Sequence, residues 1–139
     1  MDGIQGAVLE IKLRHIDKAT EGRRTNAARY RKLLSDVEGI VLPVEGSDYK
    51  HVYHIFAVRV DDRDMLLKQM GEEGVGCAIH YPVPLHLQEA YSKLGYRKDS
   101  FPIAERCSAE FLSLPMFPEL TREQVEMVVV NLKNQLVTS

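Results

Sequence analysis

The chain predicts an α+β domain: a small sheet with helices on one side, hung from a long N-terminal helix. Three observations carry this prediction. No proline occurs before Pro43, and helix formers dominate to about Val37. Two β-rich runs, His51 to Val60 and Val75 to Tyr81, flank a short helical pattern and give a β-α-β unit. Thr121-x-x-Gln124 then opens a closing helix.

The first helix starts almost at residue 1, where Asp2 followed by Gln5 reads as an N-cap with its capping-box partner. Its first half is apolar on more than one side (Ile4, Ala7, Val8, Leu9, Ile11, Leu13, Ile16). Its second half carries one stripe of Tyr30, Leu33, Leu34 and Val37. A helix of about 35 residues would be about 50 Å long. A compact domain of 139 residues is very roughly 35–40 Å across. The helix therefore bends, around Asp17 to Gly22, or its N-terminal half overhangs the body. Gly22 is the weak point, costing about 1 kcal/mol relative to alanine. An overhanging helix that is apolar all round needs a partner surface, so the chain reads as cut from something larger or as obligately oligomeric.

Glu38-Gly39 ends the helix, Ile40-Val41-Leu42 is a short strand, and Gly46-Ser47-Asp48 marks a loop. His51 to Val60 is the strongest strand pattern. Asp61 and Asp62 cap a helix carrying Met65, Leu66, Gln69 and Met70 that stops near Gly74. Leu87 to Leu94 and Pro102 to Leu112 read as helical, the latter fading into Leu114-Pro115-Met116. Leu120 and Val125 are placed as a hydrophobic staple for the last helix, which runs to about Leu136.

Composition bounds the function. The chain is 45% apolar and 27% charged with a net charge of −2, so electrostatics supplies no case for a nucleic-acid or anionic-membrane partner. No apolar run approaches the roughly 20 residues of a membrane span, and the N-terminus lacks the layout of a signal peptide. Cys77 and Cys107 form neither a CxxC nor a disulfide framework, which makes a reduced, cytoplasmic chain the expectation.

The segment Gly76-Cys77-Ala78-Ile79-His80-Tyr81-Pro82-Val83-Pro84-Leu85-His86 is the one candidate site. Its prolines end the strand and aim His80 and Tyr81. Alternation places Val75, Cys77, Ile79 and Tyr81 on an apolar face, and Gly76, Ala78 and His80 on a shallow face open to a ligand. The plainer reading is a strand end capped by a hydrogen bond from His80 to a neighbouring carbonyl. His51-x-x-His54 on a strand would point to opposite faces and so cannot chelate, and no Cys/His cluster has zinc spacing. Cys77 lies on the apolar stripe, where a thiol is inert packing rather than a nucleophile for His80. Arg23, Arg24, Arg29, Arg31 and Lys32, interleaved with Glu21 and Asp36, read as a solvated helix face. No glycine-rich phosphate loop is present.

Several segments carry a resemblance. They are Met1-Asp2-Gly3-Ile4-Gln5-Gly6-Ala7-Val8-Leu9 with Lys12-Leu13, Asn26-Ala27-Ala28-Arg29-Tyr30 and His51-Val52-Tyr53-His54. Gly76 with Ile79-His80-Tyr81-Pro82-x-Pro84-Leu85-His86, and Leu112-Ser113-Leu114-Pro115-Met116-Phe117-Pro118-Glu119-Leu120-Thr121, complete the set. In this order they resemble the C-terminal third of the DegT/StrS sugar aminotransferases, pyridoxal-phosphate enzymes of the aspartate-aminotransferase fold (fold type I). Gly6 and Cys77 depart from the residues common there.

The resemblance implies a small, mainly antiparallel sheet with helices on one side, the small domain of fold type I. Residues 1–37 would form the linking helix and 38–139 the body, with the large cofactor domain absent from this chain. It implies transamination of a nucleotide-linked keto-sugar, glutamate or glutamine as amino donor, and a homodimer. His80 and Tyr81 would be substrate-binding. Pyridoxal 5'-phosphate would serve the full-length protein; this chain alone would hold none, supply no catalytic lysine and be inactive. The competing expectations are a stand-alone α+β ligand-binding or interaction module, and a structural partner completing another chain's site.

Overall fold

The computed structural model describes residues 2–137. Asp2 caps the first helix, its carboxylate accepting the Gln5 N–H at 2.8 Å, and α1 spans Gly3–Leu13. The chain turns at Arg14 and His15 and re-enters helix as α2, Ile16–Leu34. The long helix is thus broken just ahead of the expected Asp17 to Gly22 region. The break falls where packing ends: α1 buries no residue, whereas α2 buries Asn26, Ala27, Tyr30 and Leu34.

Gly22 is not a weak point. A Cβ built there would sit 2.8 Å from the Pro118 carbonyl oxygen, so the missing side chain is what lets the backbone approach. Asn26 and Tyr30 follow at four-residue steps on the same helix face. The Asn26 Nδ2 donates to the Phe117 carbonyl at 3.1 Å, and the Tyr30 hydroxyl donates to the Pro115 carbonyl at 3.0 Å. One row of α2 thereby holds the extended segment 115–118.

The sheet is antiparallel in the order β1 (Ile40–Val41), β2 (Phe56–Val60), β3 (Phe111–Leu114). Phe56 lies opposite Leu114, Ala57 opposite Ser113 and Val58 opposite Leu112. On the far side of β3, Ala78 bridges Ser113, also antiparallel. The 78 segment therefore runs parallel to β2 across β3, the direction the expected β-α-β unit requires, but it forms a bridge and not a strand. Between β2 and Ala78 lies α3, Arg63–Glu72, closed by Gly74 at φ +75°. Neither Asp61 nor Asp62 caps it with a side-chain bond; the Asp62 carbonyl accepts the Leu66 N–H at 3.0 Å.

Four expectations change. Val75 to Tyr81 contributes one bridge rather than a strand. Residues 51–55 are not strand, because Tyr53 takes φ +48° and its N–H bonds the His51 Nδ1 at 2.9 Å. The helix expected to reach Leu112 stops earlier: α4 is Pro102–Glu110, and Phe111 to Leu114 form strand β3. Partners on both sides of Ser113 override local helix preference there. The 85–94 stretch forms two 3₁₀ turns, Leu85–Leu87 and Glu89–Leu94.

The core lies between one sheet face and the helices α2, α3 and α5 (Arg122–Val137). Phe56, Val58 and Val60 point into it, and Tyr30 stacks on Phe56 with ring centroids 5.0 Å apart. From α5 come Val125, Val128, Val129 and Leu132, the spacing of one helix face. The capping box at its start is closed in both directions, Thr121 N–H to Gln124 Oε1 at 2.9 Å and Gln124 N–H to Thr121 Oγ1 at 3.2 Å. Leu120 and Val125, the staple pair, are both buried.

Gly22→Ala gains helix propensity but drives a methyl into backbone that cannot swing aside, an overpacking cost of about 1–3 kcal/mol. Urea denaturation is expected to show Gly22→Ala less stable than wild type. Gly71→Ala in α3, where a Cβ meets nothing within 4 Å, is expected to be more stable by up to about 1 kcal/mol.

Candidate functional site

Strand β3 is the platform for the candidate site. The Ser113 carbonyl accepts the Ala78 N–H at 3.0 Å, and the Ala78 carbonyl accepts the Ser113 N–H at 2.8 Å. Residues directly opposite in antiparallel pairing share a face, so Ala57, Ser113 and Ala78 form a row of small side chains. That row lies on the face away from α2, α3 and α5, because the neighbouring Phe56/Leu114 and Val58/Leu112 pairs fill the core.

Two residues beyond Ala78, His80 falls on the same face, and its Nδ1 lies 2.9 Å from the Ser113 Oγ. His80 is half-buried, while Gly76 and Ala78 are exposed. The alternation expected from the sequence holds through Ile79: Val75 is buried, and Cys77 and Ile79 are partly buried. It fails at Tyr81, which stands 70% exposed rather than on the apolar stripe. The His80–Tyr81 peptide is cis, and the two rings meet edge to face at 5.6 Å. The partner of His80 is a hydroxyl rather than a carbonyl, so this ring is held by a group that can donate or accept.

Beside the row, a cleft of about 380 Å³ is lined by Val41, Ile55, Ala57, Arg59 and Phe111 and reaches His51 and Tyr53. Arg59 is neutralised by Glu110 at 2.6 Å. The cleft rim is a polar network that the sequence reading missed. Glu45 accepts from Arg24 at 2.6 Å, from the His51 N–H at 2.8 Å and from the buried Tyr53 hydroxyl at 3.0 Å. These donors, Arg24 foremost, hold the Glu45 carboxyl down to about 2. Arg24 also donates to the His51 carbonyl, Arg29 to Asn26 and Arg31 to Tyr53. Arg24 and Arg31 therefore tie α2 to segment 45–53 and Arg29 bonds within its own helix, whereas Lys32 is exposed as a solvated face expects.

A second missed pair lies beyond the prolines. The His86 Nε2 lies 2.9 Å from the Glu105 Oε1, and Glu105 also accepts the Asp99 N–H at 2.9 Å and the Phe101 N–H at 3.2 Å. Those bonds, the Asp99 N–H first, lower the Glu105 carboxyl below its ordinary range. His86 is thus a strut tying the 3₁₀ turns to α4. It was visible in sequence only as a second histidine, since its partner lies 19 residues away.

Burial pushes the Cys77 thiol up to about 11, so it stays protonated and unreactive near neutrality, as its place on the apolar stripe implied. His51 and His54 lie outside any strand, and the His51 Nδ1 is engaged by Tyr53. Among the described residues no three His, Cys, Asp or Glu side chains gather as a metal site. No helix of the described residues is long and apolar enough to cross a membrane.

Comparison with known proteins decides the family. The description "DegT/DnrJ/EryC1/StrS aminotransferase family" matches residues 1–133. The chain belongs to this family. A relative named pleiotropic regulatory protein, from Geobacillus stearothermophilus, is 43% identical over 93% of this chain and 35% of its own length. The dTDP-3-amino-3,6-dideoxy-alpha-D-galactopyranose transaminase of Aneurinibacillus thermoaerophilus is 40% identical, over 93% of this chain and 35% of its own. The crystal structure of DesV from S. venezuelae, in complex with a ketimine intermediate, superposes with a TM-score of 0.93 and 38% identity. It covers 97% of this chain and 36% of DesV. The chain thus spans about a third of the length of the relatives it matches. The α+β fold with a three-stranded antiparallel sheet is that of an aminotransferase segment.

Glu45 predicts a pH dependence. Its unfolded carboxyl titrates near 4.5 and its folded carboxyl near 2, so between these values the unfolded chain takes up a proton that the folded chain refuses. The stabilisation is complete above 4.5 and is lost as pH falls toward 2. Urea midpoints across this window are expected to fall less steeply for Glu45→Gln than for wild type, leaving the slope from the other lowered carboxyls, Glu105 and Glu123.

Proposed function

We propose that this chain is the C-terminal small domain of a pyridoxal-phosphate-dependent aminotransferase acting on a nucleotide-linked keto-sugar in the cytoplasm. Residues 1–37 are the linking helical segment and 38–139 the body. His80 and Tyr81 form one wall of the sugar site, and the enzyme works as a homodimer with glutamate or glutamine as amino donor. The observation that carries the reading is the match to DesV over 97% of this chain but only 36% of that enzyme. The transaminase name of the Aneurinibacillus relative supports the substrate class.

The residues present do not fit the cofactor. Seven of the eight lysines are exposed and Lys133 is half-buried. Lys32 borders two clefts of about 310 and 500 Å³, and neither carries an aromatic ring to stack on a pyridine. This supports placing the Schiff-base lysine outside the chain. The role of this chain is to orient the sugar, with the half-buried His80 as a directed hydrogen-bonding group and the exposed Tyr81 as an apolar wall with a polar tip. The exposed apolar side chains of α1, Ile4 at 80% and Leu13 at 70%, support packing against a further domain.

The competing reading, a stand-alone interaction module, has the name of the Geobacillus relative in its favour. The same test separates the two. In the full-length protein, His80→Ala is expected to lower kcat/KM for the nucleotide-sugar about 10- to 100-fold, the worth of one hydrogen bond to a charged or polar group, with cofactor absorbance unchanged. An unchanged constant reduces His80 to a strand cap. Cofactor absorbance retained by the isolated 139-residue chain after dialysis would overturn the placement of the lysine elsewhere.

A further inference from the structure

We infer that Ser113 is a positioning residue that fixes the tautomer of His80, so that its outer nitrogen, Nε2, carries the proton and presents a single N–H donor to an acceptor oxygen of the substrate. The inference rests on the proposed sugar-site role of His80 and names what that site asks of its ligand.

Hydrogen-bond satisfaction decides the tautomer. Ser113 is 5% exposed and sits between Ala57 and Ala78, whose side chains carry no polar atom. Both of its backbone groups are committed to Ala78. Among the described residues its hydroxyl has one partner, the His80 Nδ1 at 2.9 Å. A neutral imidazole has one N–H and one bare nitrogen, and a serine hydroxyl has one proton to place. If Nδ1 carried the proton it would donate to Oγ, and the hydroxyl hydrogen would be left buried without an acceptor. That costs about 1–3 kcal/mol. If the hydroxyl donates to a bare Nδ1, every group is satisfied and the proton sits on Nε2. The second arrangement wins.

The geometry also makes the serine a rigid reference. It lies in β3, paired with β2 on one side and bridged to Ala78 on the other, and the segment bearing His80 is tied to it by two backbone bonds two residues earlier. The ring is held by strand β3 rather than by the proline-rich exit. A ligand atom meeting Nε2–H must therefore accept a hydrogen bond: a sugar hydroxyl or carbonyl oxygen, or a phosphate oxygen. An ammonium or amide N–H is rejected at that position.

The test has two readouts. In this chain labelled with ¹⁵N-histidine, the two ring nitrogens of His80 are expected to show a single Nε2–H tautomer. Ser113→Ala should yield a tautomer mixture, with unchanged urea midpoint, and Ser113→Thr should restore the single form. A wild-type Nδ1–H tautomer, an unaltered tautomer in Ser113→Ala, or a mixture in Ser113→Thr overturns the inference.

In the full-length protein, Ser113→Ala is expected to raise KM for the nucleotide-sugar about two- to tenfold with little change in kcat. It should add nothing in a His80→Ala background, because Ser113 acts through that ring. Additive losses in the double variant overturn the inference while leaving the sugar-site role of His80 intact. A tautomer change in Ser113→Ala with no KM effect in either single variant overturns the sugar-site reading instead.

Discussion

The structure depends on one close approach, between a face of α2 and the extended segment 115–118. Gly22, Asn26 and Tyr30 stand one turn apart, and each meets backbone of that segment: a bare Cα beside the Pro118 carbonyl, an amide on the Phe117 carbonyl, a hydroxyl on the Pro115 carbonyl. Two of the segment's residues are prolines, which cannot donate, so its carbonyls are the handles available. A satisfied bond of this kind is worth about 1 kcal/mol, but leaving its buried donor unpaired costs about 1–3 kcal/mol. Any drift of the segment would strand Asn26, 1% exposed, and Tyr30, fully buried. Tyr30 also stacks on Phe56, so the same side chain registers β2.

That constraint propagates to the candidate site. Segment 115–118 follows directly on β3, so fixing it fixes Leu114 and Ser113. Ser113 fixes Ala78 through two backbone bonds, and Ala78 fixes the approach of His80. The chain of contacts runs from a helix row to a loop, strand β3, a bridge and a ring. It explains why a half-buried histidine on a segment with a single bridge is nonetheless aimed. The flanking networks work differently. Glu45 and Glu105 each gather several donors, two of them backbone N–H groups in the case of Glu105, and so shape loops that have no sheet or helix to hold them.

Local chemistry was legible in the sequence and long-range chemistry was not. Asp2 with Gln5, Thr121 with Gln124, the staple of Leu120 and Val125, and Gly74 as a helix stop were all visible because each partner lies within a few residues. Strand β3 was hidden because Phe111 to Leu114 is a short apolar run behind a helix, and periodicity cannot separate the two states at that length. Gly22 looked like a defect because the carbonyl that requires it is 96 positions away along the chain (118 − 22). Tyr53 and its neighbours read as strand from composition alone, while Glu45 and His51 pull them into a loop. The segments that carried the family resemblance were better guides than propensity. Asn26 to Tyr30 and Leu112 to Thr121 turn out to be the two sides of the principal contact, and His80 meets the serine of the second.

Two surfaces are left whose chemistry has no counterpart within residues 2–137, and they differ in kind. The apolar residues of α1 are contiguous and wholly outside the core, so their removal from water is worth more than any polar contact they could lose. The open sheet face is the opposite: small side chains, one directed histidine, one exposed tyrosine and an arginine already neutralised by Glu110. A surface of the first kind binds by area, and one of the second binds by matching a few hydrogen bonds. The proposed function gives these two surfaces different tasks, in a chain about a third the length of its relatives. In the proposed reading, α1 would secure the segment by its apolar area and the sheet face would orient a ligand through directed hydrogen bonds.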